Sequence, residues 1–214
     1  MEDYFSNFLH LYIIRHAETD LNRFGIIQGG GIDVDINEHG KWQAEQFWQH
    51  YKHISFDAVY CSTLKRTHQT VEKFIQKSPW VEYLSELNEI SWGYLEGKKP
   101  TQKDISIYHN LIAQWQSGNL DAKIEGGESA ISVQNRLKKA LKKIHYNHAK
   151  GNILICTHGR ALRILLCTLF NYNIANMDLL FTHQNTCLNH VIFTGSAYIA
   201  VRINDVSHLK GCEF

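Results

Sequence analysis

The pair Arg15-His16 closes the apolar run Leu9-His10-Leu11-Tyr12-Ile13-Ile14 and opens the polar stretch Ala17-Glu18-Thr19-Asp20-Leu21-Asn22. A guanidinium and an imidazole side by side on a loop offer a phosphate both a counter-charge and a nucleophile. Three further segments carry compatible groups. Ser62-Thr63-Leu64-Lys65-Arg66-Thr67-His68-Gln69-Thr70 puts Arg66 in the first turn of a helix, where a forked guanidinium and free backbone N–H groups both favour an anion. Thr157-His158-Gly159 brings a second histidine to the end of another apolar run, with Gly159 permitting close backbone approach. The loop Leu87 to Gly97 sets Glu89 among aromatic residues and glycines, and a partly buried carboxyl there can donate a proton.

Each segment alone has a plain structural reading: a polar strand cap, a solvated helix arginine, a histidine ending a strand. Gly126-Gly127-Glu128-Ser129 reads as a turn followed by a helix capped by Ser129. Trp92 and Tyr94 fit either the core of a small cap or the walls of a substrate pocket. The convergence of Arg15, His16, Arg66, Glu89 and His158 points to phosphoryl transfer.

In this order the segments resemble the histidine phosphatase superfamily, in the branch that holds cofactor-dependent phosphoglycerate mutases and related small phosphatases, and the match spans nearly the whole chain. The resemblance implies that His16 is the phosphorylated nucleophile, that Arg15, Arg66 and His158 surround the phosphoryl group, and that Glu89 is the acid and base. It also implies that Asn22 and the pair Gln28-Gly29 line the phosphate pocket. Two departures stand out. Gly29-Gly30-Gly31, followed by Asp33-Val34-Asp35-Ile36, has an extra glycine and lacks the proline common there, and Arg160 stands where the mutases usually carry asparagine.

Such a site needs His16 neutral at its attacking nitrogen, with the other ring nitrogen tied to a backbone carbonyl. Attack gives a phosphohistidine, while Glu89 protonates the leaving alcohol and then takes a proton from the attacking water. The arginines and histidines carry the charge work, so no metal and no cofactor is expected. The remaining histidines, scattered from His10 to His208, show no HExxH or similar ligand spacing.

The elements that must position these groups follow from periodicity. Buried strands are expected at 9–14, 56–61 and 152–156, amphipathic helices at 40–52, 64–77, 129–148 and 160–170, and two final strands at 187–193 and 198–203 joined as a hairpin around Gly195-Ser196. This alternation predicts an α/β three-layer sandwich, a mainly parallel mixed sheet flanked by helices. The irregular text near 90–127, with a helix at 104–116, predicts a small helical cap inserted into a single domain spanning 1–214.

Composition narrows the function. A net charge of +1 and 44% hydrophobic residues speak against nucleic-acid and membrane partners and leave a small phosphorylated substrate. Met1 to His10, with Glu2 and Asp3, lacks the form of a secretory signal, and no apolar run nears the roughly 20 residues of a membrane span. Cys61, Cys156, Cys167, Cys187 and Cys212 form no CxxC pair and read as reduced thiols, so a cytoplasmic location is expected. Oligomeric state is left open, a homodimer included. The leading expectation is a phosphatase of a small phosphorylated metabolite. The alternatives are a phosphoglycerate mutase, an isomerase that needs a longer insertion and more cations than Lys98, Lys99, Lys103 and Lys123 supply, and a catalytically weak regulator that binds phosphorylated ligands.

Overall fold

The computed structural model describes residues 7–180 and 183–211; Glu2, Asp3 and Cys212 lie outside the described residues. Six strands form one sheet: β1 Leu9–Arg15, β2 Ala58–Cys61, β3 Val81–Tyr83, β4 Gly151–Thr157, β5 Leu188–Phe193 and β6 Tyr198–Asp205, in the order β3-β2-β4-β1-β5-β6. The first four are parallel, β5 runs antiparallel beside β1, and β6 pairs antiparallel with β5 at the edge. The sheet is therefore mixed and mainly parallel, and the last two strands form the expected hairpin.

Side-chain alternation along the strands builds two apolar layers. Leu9, Leu11, Ile13, Ile153 and Ile155 face one cluster, covered by α6 Ala130–Asn147 and α7 Gly159–Leu169. Ile14, Val59, Leu154 and Cys156 face the other, covered by Phe47 of α2 Glu38–Tyr51 and Phe74 of α4 Glu72–Ile75. Helix α6 buries Val133, Leu137, Ala140 and Ile144, spaced at three and four residues, so one stripe seals it to the sheet. Ser129 caps it as expected, its side chain accepting from the Ser132 N–H.

The register positions the site. Arg15 pairs with Thr157 across β1 and β4, and Cys61 pairs with Cys156 across β2 and β4. His16, Ser62 and His158 consequently leave the sheet at one carboxyl edge. The cap helix α5, Gln102–Gln116, starts with a reciprocal Thr101–Asp104 capping box and packs Leu111 and Trp115 into the first cluster.

Two expectations change. The helix expected over 64–77 is two short helices, α3 Lys65–Thr70 and α4, because buried Val71 adopts φ −118° and ψ 21° between them. Strand β3 was not anticipated: three residues after Pro79, partly exposed at the sheet edge, make too short an apolar run to read as a strand. A four-residue helix α1, Asp20–Arg23, and a last one, α8 Met177–Leu180, complete the set among the described residues.

Candidate active site

His16 follows β1 directly and is 3% exposed. Its backbone N–H donates to the Thr157 carbonyl at 2.9 Å, and its Nδ1–H donates to the Ala17 carbonyl at 2.7 Å. That bond fixes the tautomer and leaves Nε2 with a lone pair. Burial, then the charges of Arg66 and Arg15, hold the imidazole well below its ordinary value, so it stays neutral and nucleophilic near pH 7.

The loop after His16 is folded by its own polar side chains. Thr19 caps α1, its Oγ1 accepting from the Asn22 N–H at 3.2 Å while Asn22 Oδ1 accepts from the Thr19 N–H at 3.3 Å. Asn185 Nδ2 donates both to the His16 carbonyl, at 2.9 Å, and to Asn22 Oδ1, at 3.3 Å. With its oxygen so engaged, Asn22 has its amide nitrogen available to an acceptor.

A cavity of about 460 Å³ opens at this edge. Arg15, His16, Asn22, Gln28, Glu89 and Gly159 line it. Arg66, His158 and Gly29 are not among its lining residues and stand behind the wall. Arg66 is fully buried and donates to the Ile32 carbonyl at 2.6 Å, the Gly29 carbonyl at 3.3 Å and His158 Nδ1 at 3.1 Å. Gln28 turned with its carboxamide oxygen toward Arg66 accepts from Nε and Nη1 at 3.0 Å and donates to Thr19 Oγ1 at 2.7 Å. Burial lowers the guanidinium to about 10, partly offset by Glu89 and Asp33, so it remains a cation at neutral pH.

His158 donates from Nε2 to Ser62 Oγ at 2.7 Å and accepts from Arg66 at Nδ1. Burial and the surrounding arginines push it well below its ordinary value. Its ring centroid lies 5.2 Å from that of His16. The pair Arg66–His158 is thus a buried positive backing for His16. A Cβ on Gly29 would stand 2.0 Å from Glu96 Oε1 and 2.7 Å from the Ile90 carbonyl, so only glycine fits under this arginine.

Glu89 is 7% exposed and sits on the start of α7. Its Oε1 accepts from the N–H of Ala161 at 2.9 Å and of Ile90 at 3.0 Å, and its Oε2 accepts from the N–H of Arg160 at 3.0 Å. A Cβ on Gly159 would lie 3.4 Å from Arg15 Nε and 3.7 Å from Glu89 Oε2, which places acid and guanidinium against the same glycine. The Glu89 loop is clamped from several sides. Arg136 donates to the carbonyls of Glu86 at 2.8 Å and Asn88 at 2.7 Å while paired with Glu128 at 2.9 Å, and Glu128 accepts from the Ser91 N–H at 3.0 Å. Gly126 to Ser129 therefore serves as turn, cap and anchor of the acid's loop.

Of the far wall, sequence reasoning offered Trp92 as core or pocket wall and noted Arg160, and it missed the rest. Ile27, Trp92, Pro100, Ile105 and Tyr108 form an apolar side, and His109, Arg160 and Arg163 add polar groups. Arg160 Nη1 donates to Asp178 at 2.6 Å and Nη2 to the Tyr108 hydroxyl at 3.0 Å, while Arg163 pairs with the same Asp178. Burial alone would lower Arg160, but Tyr108 and Asp178 outweigh it and hold the guanidinium above its ordinary value. Arg163 lies four residues after Gly159, one turn on along α7, a spacing that could have flagged it. Trp92 is buried and borders the cavity, whereas Tyr94 is exposed with Lys98 over its ring.

The geometry brings a neutral imidazole, a carboxyl group and Arg15 to one cavity, with Arg66 behind it and an annex formed by its apolar side. The chain is similar to a metal-independent phosphoserine phosphatase of Arabidopsis thaliana, 30% identical over 219 residues that cover 98% of this chain and 87% of the relative. It is also similar to phosphoglycerate mutase-like protein 4 of Arabidopsis thaliana, 29% identical over 215 residues, covering 97% and 90%. Among solved structures, phosphoserine phosphatase from Entamoeba histolytica in complex with 3-phosphoglyceric acid superposes with a TM-score of 0.81 at 25% identity, covering 94% of this chain and 99% of that one. The family model of the histidine phosphatase superfamily, branch 1, matches residues 11–206, and the chain belongs to that family.

Proposed function

We propose that this protein is a metal-independent phosphatase of small phosphorylated metabolites that works through a phosphohistidine at His16. The observation that carries the reading is the Nδ1–H bond from His16 to the Ala17 carbonyl, which leaves Nε2 unprotonated in a cavity shared with Arg15 and Glu89. In the first step Nε2 bonds to phosphorus as the ester P–O bond breaks, and Glu89 gives its proton to the departing oxygen. In the second, Glu89 takes a proton from water, the water oxygen bonds to phosphorus, and phosphate leaves as Nε2 is restored. Arg15 meets the phosphoryl oxygens, and Arg66 with His158 supplies buried positive potential behind them. Asn22, Gln28 and the backbone at Gly159 shape the phosphate pocket, with the Gly29 carbonyl holding Arg66 behind it.

A second reading, the mutase, is favoured by the mutase-like relative and by the phosphoglycerate bound in the Entamoeba enzyme. Against it, two of the three arginines in the cavity lining, Arg160 and Arg163, are paired with Asp178, whereas a mutase must retain and turn a bisphosphorylated intermediate. A regulator that only binds phosphorylated ligands would have no use for an oriented nucleophile and an adjacent acid. The continuous sheet supports reading the chain as one domain with the cap near 90–127 inserted. The free, buried Cys61, Cys156, Cys167 and Cys187 support a reducing compartment such as the cytoplasm, and no helix among the described residues is long and apolar enough to cross a membrane.

The test is phosphate release from a panel of phosphomonoesters with chelator present, beside a phosphoglycerate mutase assay with bisphosphoglycerate. Release that survives chelation and disappears in His16→Ala is the expected result. Isomerisation with little release would establish the mutase instead.

A further inference from the structure

Arg160 joins the acid's support to the cap. Its backbone N–H holds Glu89 Oε2 at 3.0 Å, so the residue's main chain belongs to the acid's support. Its side chain turns the other way, toward the cap. The guanidinium donates to the Tyr108 hydroxyl on α5 at 3.0 Å and to Asp178 on α8 at 2.6 Å, and it lies 5.7 Å from the ring centres of both Trp92 and Trp115. At 8% exposure its two bonded nitrogens are engaged by protein, so the fork serves the structure and leaves the substrate's phosphate to Arg15.

We propose that Arg160 is a positioning residue that latches the cap helix over the cavity and thereby decides which leaving groups enter. The inference rests on the phosphatase reading. The apolar wall of the cavity includes Ile105 and Tyr108 from the cap helix, and Trp92 packs beside it. Arg160 is the polar tie between that helix and the start of α7. Leu111 and Trp115 anchor the helix in the core, and the bond of Tyr108 to Arg160 sets how its cavity-facing side meets the leaving group. A substrate whose alcohol portion fills the annex reads the latch, and one whose leaving group barely exceeds the phosphate does not.

The backbone bond to Glu89 is kept in Arg160→Ala, which separates positioning from chemistry. In Arg160→Ala, kcat/KM for 1-naphthyl phosphate should fall about tenfold, carried by KM, as expected for loss of a buried charged hydrogen bond, and kcat/KM for acetyl phosphate should fall by less than about threefold. Tyr108→Phe should shift the same ratio in the same direction by a smaller factor. The Arg160→Ala/Tyr108→Phe double variant should match Arg160→Ala alone, because both remove one shared contact. Hydrogen exchange of Gln102–Gln116 should quicken in Arg160→Ala while the strand amides stay protected, a readout independent of turnover. Equal losses on both substrates, additive effects in the double variant, or unchanged exchange in the cap would each overturn the latch. Turnover that persists in His16→Ala would instead mark failure of the phosphatase reading, with the cap exchange still deciding the latch.

Discussion

At the scale of single residues, the site depends on what each polar atom is already doing. The His16 Nδ1–H is held by the Ala17 carbonyl, which leaves Nε2 for the proposed attack, and the Glu89 Oε2 that accepts from the Arg160 N–H is the oxygen nearest Gly159. If Glu89 is the proton donor, Glu89→Gln should slow phosphoryl transfer from alkyl phosphates by about 10²–10⁴-fold, and much less from aryl phosphates, whose oxygen leaves without a proton. The ratio of the two rates checks this and is insensitive to the fraction of folded enzyme; an equal loss on both would remove Glu89 from that role. The residues named from sequence were those whose neighbours are also informative, such as His16 after Arg15 and His158 before Gly159. Asn185 was illegible because it precedes β5, whose antiparallel direction alone brings its first end to the catalytic edge. Arg160 could be noticed, yet its bonds to Tyr108 and Asp178 join residues far apart in sequence and could not be inferred.

At the scale of elements, strands written as short continuous apolar runs were readable, and their register explains why Arg15 and Thr157, and so His16 and His158, arrive together. Short or broken elements were not: β3 is an edge strand of three residues, and Val71 divides a helix whose periodicity runs through it. The cap was legible as an irregular stretch, but the close backbone approaches at its base were not. Gly93 has φ +58°, and a Cβ there would meet the Glu125 carbonyl at 2.0 Å. Gly93→Ala must therefore move backbone at the base of the cap. We expect it to lower Tm well beyond the roughly 1 kcal/mol, or 2–4 °C, expected from Ser129→Ala at the start of α6. Thermal melts of the two variants side by side check the order, and the reverse order would show that the Gly93–Glu125 approach is not a fixed point of the fold.

At the scale of the whole molecule, His16 and His158 are part of a wider set of neutral imidazoles held by burial. Burial first, then nearby cations, holds His16 and His158 well below their ordinary value, His183 at about 3 and His190 at about 4; burial and His50 hold His208 at about 4. Below pH 6.5 the unfolded chain takes up protons that the folded chain refuses, so this stability is present above 6.5 and is lost as pH falls toward 4. Tm should drop by several degrees from pH 7 to pH 5, while a flat profile would contradict the buried neutral assignment. The same neutrality keeps His16 nucleophilic on the acid side of its ordinary range, which links the stability of the core to the chemistry at its edge. The most direct test of that chemistry is to quench the enzyme during turnover of a ³²P-labelled phosphomonoester and locate the label. The account predicts a phosphoprotein stable in alkali and labile in acid, with phosphate on His16 and none in His16→Ala. Steady turnover with no such label, or with the label on another residue, would contradict it.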